Sequence, residues 1–205
     1  MTFYQWIYNT LEPAVSALYR IEAHGVENIP ADGAIVASNH TSFADVLVIS
    51  AAAKRQVRYM AKKELFKIPL LAPLIKALGA YPVDRKGADV GAIRKTIRML
   101  GEGKCIGIFP QGHRYKGVYP RETEVKSGLG MIAAKSGATV LPCYIKMKRR
   151  KWSLFRRVDV YIGKPITAEE LAYNPEAQGE YLRISNYVFD RICSIGDAVD
   201  AENRK

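Results

Sequence analysis

One polar turn joins two apolar segments in the run Ala34-Ile35-Val36-Ala37-Ser38-Asn39-His40-Thr41-Ser42-Phe43-Ala44-Asp45. Residues 34–38 have the length and composition of a short buried strand, and the apolar residues that begin at Val46 predict a helix over 43–53. Ser42 and Asp45 have the spacing of a capping box, which makes Ser42 the predicted N-cap of that helix.

The same turn brings a histidine and a carboxylate within reach of each other. On one continuous helix, residues at this spacing would diverge by about 140°, so His40 and Asp45 would not face each other there. With His40 in the turn and Asp45 in the first helical turn, the carboxylate can reach back to the imidazole. Such a pair is suited to take a proton from an alcohol. The sequence leaves a simpler alternative open, in which Asp45 only caps the helix and His40 is only a hydrogen-bonded turn residue.

Strands and helices alternate along the rest of the chain. The predicted strands cover 34–38, 57–60, 80–83, 104–109, 139–145 and 158–162. The predicted helices cover 43–53, 63–78, 89–101, 127–136, 168–173 and 177–195. Thr167 and Glu170 form a second capping box, and Gly101 and Gly137 are predicted helix ends. The alternation predicts a single α/β domain with a largely parallel central sheet flanked by helices.

The composition excludes several classes of protein. The chain has 205 residues, of which 48% are hydrophobic, so it can form one full domain and is not a disordered protein. Its 3 cysteines lie far apart in apolar surroundings. This placement favours buried thiols in a reducing compartment over a set of disulfides. The histidines, His24, His40 and His113, are also widely separated. We therefore expect no metal and no cofactor.

The charge of the chain predicts an anionic partner. The formal net charge is +11 and the pI is about 9.6, which favours nucleic acid, an anionic membrane or a phosphorylated substrate. No uncharged run approaches the ~20 residues of a membrane-spanning helix. The N-terminus lacks the basic region of a secretory signal. We expect a protein that is soluble or peripheral to the membrane, on its cytoplasmic face.

Residues 1–21 are predicted to form an amphipathic helical segment ahead of a domain that covers 22–205. Its polar side chains follow one narrow stripe, and nearly all the others are apolar or aromatic, with Pro13 expected to kink or divide the segment. A helix of this composition suits a membrane interface. The alternative is a helix that packs on its own domain.

Two further stretches bear on membrane contact. Residues 146–157 combine 7 basic residues with Trp152 and Phe155, which suits anionic lipid headgroups, equally suits nucleic acid, and also suits a solvated loop. The apolar stretch from Leu65 to Val83 could line an apolar channel, dip into a membrane interface or belong to the core.

Basic residues follow two more of the predicted strands. Asp84 and then Arg85 follow the strand over 80–83, and Arg114 follows the strand over 104–109. Ligands of open α/β sheets collect at the carboxyl ends of the strands, so both arginines are expected beside His40. They predict a site for an anionic, phosphorylated substrate. Gly112 would let the backbone approach that ligand closely.

Several motifs, in the order in which they occur along the chain, resemble those of the glycerophospholipid acyltransferases, and most of all those of the lysophosphatidate acyltransferases. The resemblance spans roughly residues 20 to 167. It rests on Asn39-His40-x4-Asp45 for the NHxxxxD block, Tyr81-Pro82-Val83-Asp84-Arg85, Ile108-Phe109-Pro110-Gln111-Gly112-His113-Arg114 for the usual FPEGTR, Val140-Leu141-Pro142, and the basic segment Ala61-Lys62-Lys63-Glu64-Leu65-Phe66.

The resemblance implies a role for each matching residue. His40 would be the general base on the acceptor hydroxyl, and Asp45 would orient the imidazole and stabilise its charged form. Arg85 and Arg114 would hold the phosphate, together with Lys62, although Lys63 is adjacent and equally basic. Gln111 and Gly112 would contact the substrate. Gln111 stands where glutamate is usual and His113 where threonine is usual, which puts the choice of acceptor in doubt more than the type of reaction.

The resemblance also implies substrates and partners. The expected reaction moves a fatty acyl group from acyl-CoA or acyl carrier protein to the sn-2 hydroxyl of lysophosphatidic acid and gives phosphatidic acid. An anionic membrane surface is the expected partner, and no nucleic acid is expected. The alternatives are an acyltransferase for another lysophospholipid or small alcohol, and a non-catalytic protein that binds anionic lipid.

Overall fold

The computed structural model describes residues 13, 15–84, 87, 89–147 and 155–202. Seven strands in this part of the chain form one sheet in the order β1-β7-β6-β2-β5-β3-β4, and all neighbours are parallel except β6 and β7. The strands are β1 (Ile21–His24), β2 (Ile35–Ser38), β3 (Val57–Lys62), β4 (Tyr81–Val83), β5 (Cys105–Ile108), β6 (Val140–Met147) and β7 (Val158–Ile162).

Helices fill most of the connections between these strands. The helices between strands are α1 (Asp45–Ala53), α2 (Leu71–Ala77), α3 (Val90–Gly101) and α4 (Gly128–Ser136), with 3₁₀ turns at Val26–Asn28, Lys63–Lys67 and Pro120–Glu122. Two more helices, α5 (Ala168–Leu171) and α6 (Glu180–Glu202), follow the last strand. The single α/β domain with a largely parallel sheet that the sequence predicts is therefore confirmed.

Alternation along β2 divides the core between the two faces of the sheet. Ile35 and Ala37 pack with side chains of α3, α4 and α6, whereas Val36 packs with side chains of α1. Successive side chains of a strand point to opposite faces, so a strand with no polar residue before Ser38 can serve both layers. The continuous apolar run thus marks β2 as a central strand.

The register of β2 places its carboxyl end between two neighbours. Ile35 pairs with Ile106 of β5 on one side and with Val140 of β6 on the other. Because β2 and β5 are parallel, the turn that follows Ser38 and the loop that follows Ile108 emerge side by side at the same edge of the sheet. This arrangement brings the motif around His40 next to the motif around Gln111.

The apolar stretch after β3 folds as two short pieces and not as the single helix predicted over 63–78. The 3₁₀ turn Lys63–Lys67 ends at Ile68, which is extended (φ −82°, ψ 114°), and α2 begins at Leu71. Pro69 explains the break, because a proline disfavours helical geometry in the residue before it and has no N–H to donate. Leu70 is left 90% exposed.

Two other sequence predictions need correction. The edge strand β1 was not predicted; its sequence Ile-Glu-Ala-His lacks an apolar run, and it forms because it pairs in parallel with β7. Gly101 is the last residue of α3 and not its stop, a role that falls to Gly103, with φ at 74°. The predicted end at Gly137, with φ at 63°, is confirmed.

Residues 15–19 are helical, in agreement with the expected N-terminal helix. Residues 1–12 and 14 of that predicted segment lie outside the described part of the chain, so its division from the domain at 22–205 stays a prediction. In the described ranges, no helix combines the length and the apolar character needed to cross a membrane.

Candidate active site

His40 and Asp45 face each other across the turn between β2 and α1. Nδ1 of His40 lies 2.7 Å from Oδ2 of Asp45. The Asp45 side chain is fully buried and that of His40 is 14% exposed. Because a carboxylate only accepts hydrogen bonds, Nδ1 carries the shared proton, and Nε2 is left as the basic nitrogen of the ring. The structure thus brings together the two residues that the sequence proposed as a pair.

The backbone of the turn holds the Asp45 carboxylate in place. Its Oδ2 accepts the N–H of Thr41 at 2.6 Å and that of Ser42 at 2.9 Å, and its Oδ1 accepts the Thr41 hydroxyl at 3.3 Å. A buried carboxylate with this many donors is fixed in position and compensated for its loss of water. Asp45 therefore closes the turn and orients His40 with one group.

The N-cap of α1 differs from the prediction. The helix begins at Asp45, its N-cap is Ala44, and Ser42 lies two residues further back, where its hydroxyl accepts the Ala44 N–H at 3.2 Å. The predicted capping box is present only in its acidic half, since Asp45 accepts the Ser42 N–H. The turn wraps around the carboxylate, so the serine cannot occupy the cap.

Neighbouring elements fix the backbone and the ring of His40. The amide of Asn39 pairs with Ile145 of β6 in both directions, at 3.1 Å and 2.8 Å, as a further strand residue would. Tyr115 donates its N–H to the carbonyl oxygen of His40 at 2.9 Å. The imidazole stacks on Phe109 with ring centroids 3.8 Å apart. In the sequence, Asn39 and Phe109 are recognisable only as parts of motifs, and no local pattern indicates these contacts.

Gln111 lies behind His40 and faces the protein. Its Oε1 accepts the backbone N–H of His40 at 2.7 Å, and its Nε2 donates to the hydroxyl of Thr123 at 2.7 Å. The residue is 1% exposed and does not line the cavity described next. Both polar atoms of the amide are used within the protein, so this geometry favours a positioning role over the predicted contact with substrate.

A cavity of about 1330 Å³ opens beside His40, between the carboxyl ends of the strands and the segment that contains α2. Its walls are largely apolar and include Leu47, Tyr59, Leu65, Ile75, Leu78 and Ile132. Val15, from the helical residues near the N-terminus, also lines it. A cavity of this size and character suits a long hydrocarbon chain held next to the imidazole.

Cationic side chains stand at the same cavity. Arg114 lines it, and its guanidinium carbon lies 3.5 Å from the centre of the exposed Phe43 ring. Gly112 lines it too and has φ at 72°, a conformation that favours glycine. Arg85 lies outside the described residues, so its predicted role in binding phosphate stays a prediction.

The structure distinguishes between the adjacent lysines Lys62 and Lys63, which the sequence alone does not. Lys62 lines the cavity with its side chain 56% exposed, and its ammonium is 3.9 Å from the carboxylate of Glu64. Lys63 forms an ion pair with Asp84, and this hydrogen bond raises the pKa of Lys63 above its usual value. Lys62 is therefore the better placed of the two to meet an anionic ligand in the cavity.

One cluster of possible metal ligands lies elsewhere in the described part of the chain. Glu22, His24 and Asp159 gather at the edge formed by β1 and β7. Arg157 bonds both carboxylates at 2.7 Å, and His24 bonds Asp159 at 3.1 Å. Ion pairing accounts for this cluster. It also neutralises Arg157 of the basic stretch 146–157, of which residues 148–154 lie outside the described part.

Comparison with known proteins assigns the chain to a family. The family model described as Acyltransferase matches residues 20–146, which include the His40 turn, the two lysines at the carboxyl end of β3 and the loop that carries Gln111 and Arg114. The chain belongs to the acyltransferase family. The family predicted from the order of the motifs is confirmed.

Relatives of this acyltransferase carry more specific names. The 1-acyl-sn-glycerol-3-phosphate acyltransferase of Bacillus subtilis is 30% identical over 179 residues, which cover 85% of this chain and 88% of that protein. The protein of the same name from Streptococcus pneumoniae is 29% identical over 154 residues, covering 72% of this chain and 56% of the relative.

A solved structure also resembles this acyltransferase over nearly its whole length. The crystal structure of the 1-acyl-sn-glycerophosphate (LPA) acyltransferase PlsC from Thermotoga maritima superimposes with a TM-score of 0.69 at 25% identity. The match covers 97% of this chain and 81% of that one. The likeness extends the agreement from the motifs to the whole sheet and its helices.

Proposed function

We propose that this acyltransferase moves a fatty acyl group from an acyl thioester, either acyl-CoA or acyl carrier protein, to the sn-2 hydroxyl of lysophosphatidic acid. The product is phosphatidic acid. One observation carries the proposal: a histidine oriented by a buried carboxylate lines an apolar cavity that Lys62 and Arg114 also line. The cavity suits the acyl chain, and the cations suit a phosphate. The names of the relatives support the same acceptor.

In the proposed reaction, each chemical step is carried out by one atom. Nε2 of His40 takes the proton of the acceptor hydroxyl while the oxygen attacks the thioester carbonyl carbon. The new C–O bond forms, the C–S bond breaks, and the departing thiolate receives a proton from the imidazolium. Asp45 stabilises that imidazolium through Nδ1, as the carboxylate does in a serine-hydrolase triad. The nucleophile belongs to the substrate, so this mechanism has no covalent acyl-enzyme.

The expected rate contributions are consistent with this simple machinery. A general base typically contributes about 10²–10⁴-fold. The thiol of the donor has a pKa of about 8.5 and leaves readily, so the leaving group requires little further help. The remaining acceleration comes from holding the hydroxyl and the thioester in the orientation for attack.

Mass spectrometry of the products tests this proposal. Purified protein is given a mixture of acyl thioesters and lysolipids, and phosphatidic acid is expected as the main product. A different acylated lysolipid or alcohol as the main product would reject the proposed acceptor. His40→Ala should abolish turnover yet leave membrane binding intact. A non-catalytic lipid binder would form no product and would not respond to this substitution.

The proposed membrane partner is supported by an exposed apolar surface beside the cavity. Ile68, Leu70 and Leu74 all expose large apolar side chains, and Leu65 and Ile75 of the same segment line the cavity. Burying exposed side chains of this size in lipid is favourable. We propose that this surface and the predicted helix at 1–21 bind the cytoplasmic face of the cell membrane peripherally, so that lipid substrates enter the cavity from the bilayer.

Lys67 and Lys76 flank this apolar surface and would meet anionic headgroups, with about 1 kcal/mol for each basic residue near the surface. Sedimentation with phosphatidylglycerol vesicles tests the contact. Leu70→Asp and deletion of residues 1–19 should each release protein from the vesicles. Leu182→Asp, at an exposed leucine that does not line the cavity, is the matched control and should not. Equal loss of binding in both aspartate variants would contradict the assignment.

A further inference from the structure

Gln111 lies between two backbone groups whose hydrogen-bonding roles are fixed. The N–H of His40 can only donate, and it reaches Oε1 of Gln111 at 2.7 Å. The carbonyl oxygen of Pro120 can only accept, and the Thr123 hydroxyl donates to it at 2.6 Å. Between them, Nε2 of Gln111 donates to the Thr123 oxygen at 2.7 Å. These two backbone groups therefore set the donor and the acceptor in each of the three hydrogen bonds that link His40, Gln111, Thr123 and Pro120.

This series of hydrogen bonds requires an amide followed by a hydroxyl. Each of the two groups accepts on one side and donates on the other. A carboxylate at position 111 would accept from both sides, so the Thr123 hydroxyl would have to turn away from Pro120 to reach it. It would also place a negative charge at a site that is 1% exposed, directly behind the turn that holds His40 and Asp45. Glutamine avoids both effects.

We propose that Gln111, acting with Thr123, is a positioning residue for the base. The hydrogen-bonded chain fixes the backbone of His40 against the 3₁₀ turn Pro120–Glu122, and the neutral amide keeps a second carboxylate away from the imidazole. The assignment rests on the proposed acyl transfer, because its readouts are rates of that reaction. If the reaction itself were wrong, the unaltered protein would show no turnover. If only the positioning role were wrong, the unaltered protein would still turn over, and the variants below would give one of the contradicting results stated for each.

Gln111→Leu separates positioning from contact with substrate. It keeps similar volume and removes both hydrogen bonds, so kcat should fall about 10–100-fold, while KM for the lysolipid changes by less than about 2-fold. Thr123→Val removes only the far link and should lower kcat about 3–10-fold. The double variant should be no slower than Gln111→Leu alone, because the second change acts through a link already broken. A rise in KM with unchanged kcat would place Gln111 against the substrate and overturn the proposal.

Gln111→Glu tests the electrostatic part, which a merely structural role would not affect. It keeps an acceptor for the His40 N–H, so it should recover most of the kcat lost in Gln111→Leu at high pH. A second carboxylate stabilises the protonated imidazole, so the acidic limb of the kcat/KM profile should move up by about one pH unit. Gln56→Glu, before the amino end of β3, is the matched control and should not move it. Coincident profiles for Gln111→Glu and the unaltered protein would overturn the proposal, and so would low kcat at every pH.

If Gln111→Leu does not fold, Thr123→Val decides the mechanical part, because it changes one partly buried side chain and leaves the bond to His40 intact. Lower kcat with unchanged KM in this variant supports the positioning chain. Kinetics that match the unaltered protein would overturn it. Thermal unfolding of each variant checks that the rates refer to folded protein.

Discussion

The turn that carries His40 and the cationic rim of the cavity are built in opposite ways. In the turn, the Asp45 carboxylate is fully buried and accepts from Thr41, Ser42 and His40, with each donor no more than 3.3 Å away. At the rim, Lys62 is 56% exposed and Arg114 rests on an aromatic ring.

This difference separates the two tasks of the site. The proposed base, His40, is held in place before substrate arrives, which is what transition-state stabilisation requires. In the proposed reaction, the exposed rim cations gain their best partner only when a phosphate binds. Substitutions in the turn should therefore lower kcat, and substitutions at the rim should raise KM for the lysolipid.

Asp45→Asn should give the largest effect and test the turn. The amide oxygen can still accept from the backbone of Thr41 and Ser42, so the turn is retained while the charge beside the imidazole is lost. Turnover should fall by about 10²–10⁴-fold with KM changed by less than about 3-fold. Steady-state kinetics measure both constants. Asp84→Asn removes another carboxylate at the cavity and is the control, with little expected effect on kcat. A large rise in KM for Asp45→Asn would show that the turn also contributes to substrate binding and would contradict the division of tasks between the turn and the rim.

Arg114→Ala should give the next largest effect and test the rim. A charge-assisted hydrogen bond to phosphate contributes about 1.5–3 kcal/mol, so KM for lysophosphatidic acid should rise about 10–100-fold with a smaller change in kcat. Arg94→Ala removes an exposed arginine of α3 that does not line the cavity and should leave KM unchanged. An unaltered KM in Arg114→Ala would remove this residue from the phosphate site.

The sequence predicted the parts of the site that depend on local spacing. A short apolar strand, a turn and a helix bring His40 and Asp45 together within one supersecondary unit, so two residues in sequence were enough to propose their contact. The parallel order of the strands also follows from the alternation of elements. Both inferences need only the periodicity of apolar residues and the length of the connections.

The parts that were missed depend on contacts between distant segments. Gln111 bonds the backbone of His40 across a separation of 71 residues, and no local pattern shows which side of the amide faces the base. The choice between Lys62 and Lys63 likewise depends on where β4 delivers Asp84. β1 was missed because an edge strand with polar residues has no apolar periodicity, and its pairing with β7 forms it.

The two lysines at the carboxyl end of β3 should give the smallest effect and refine the description of the rim. Lys62→Ala should raise KM for lysophosphatidic acid about 3–10-fold, a smaller rise than for Arg114→Ala, since an ammonium binds phosphate as a point charge and lacks the bidentate geometry of a guanidinium. Lys63→Ala is the matched control and should change KM by less than about 2-fold, because the ion pair with Asp84 already uses its charge and raises its pKa. Steady-state kinetics at two salt concentrations measure the difference, which should shrink at the higher one. If Lys63→Ala had the larger effect, the phosphate would have to displace Asp84 from Lys63. The rim would then rearrange when substrate binds and would not be preformed.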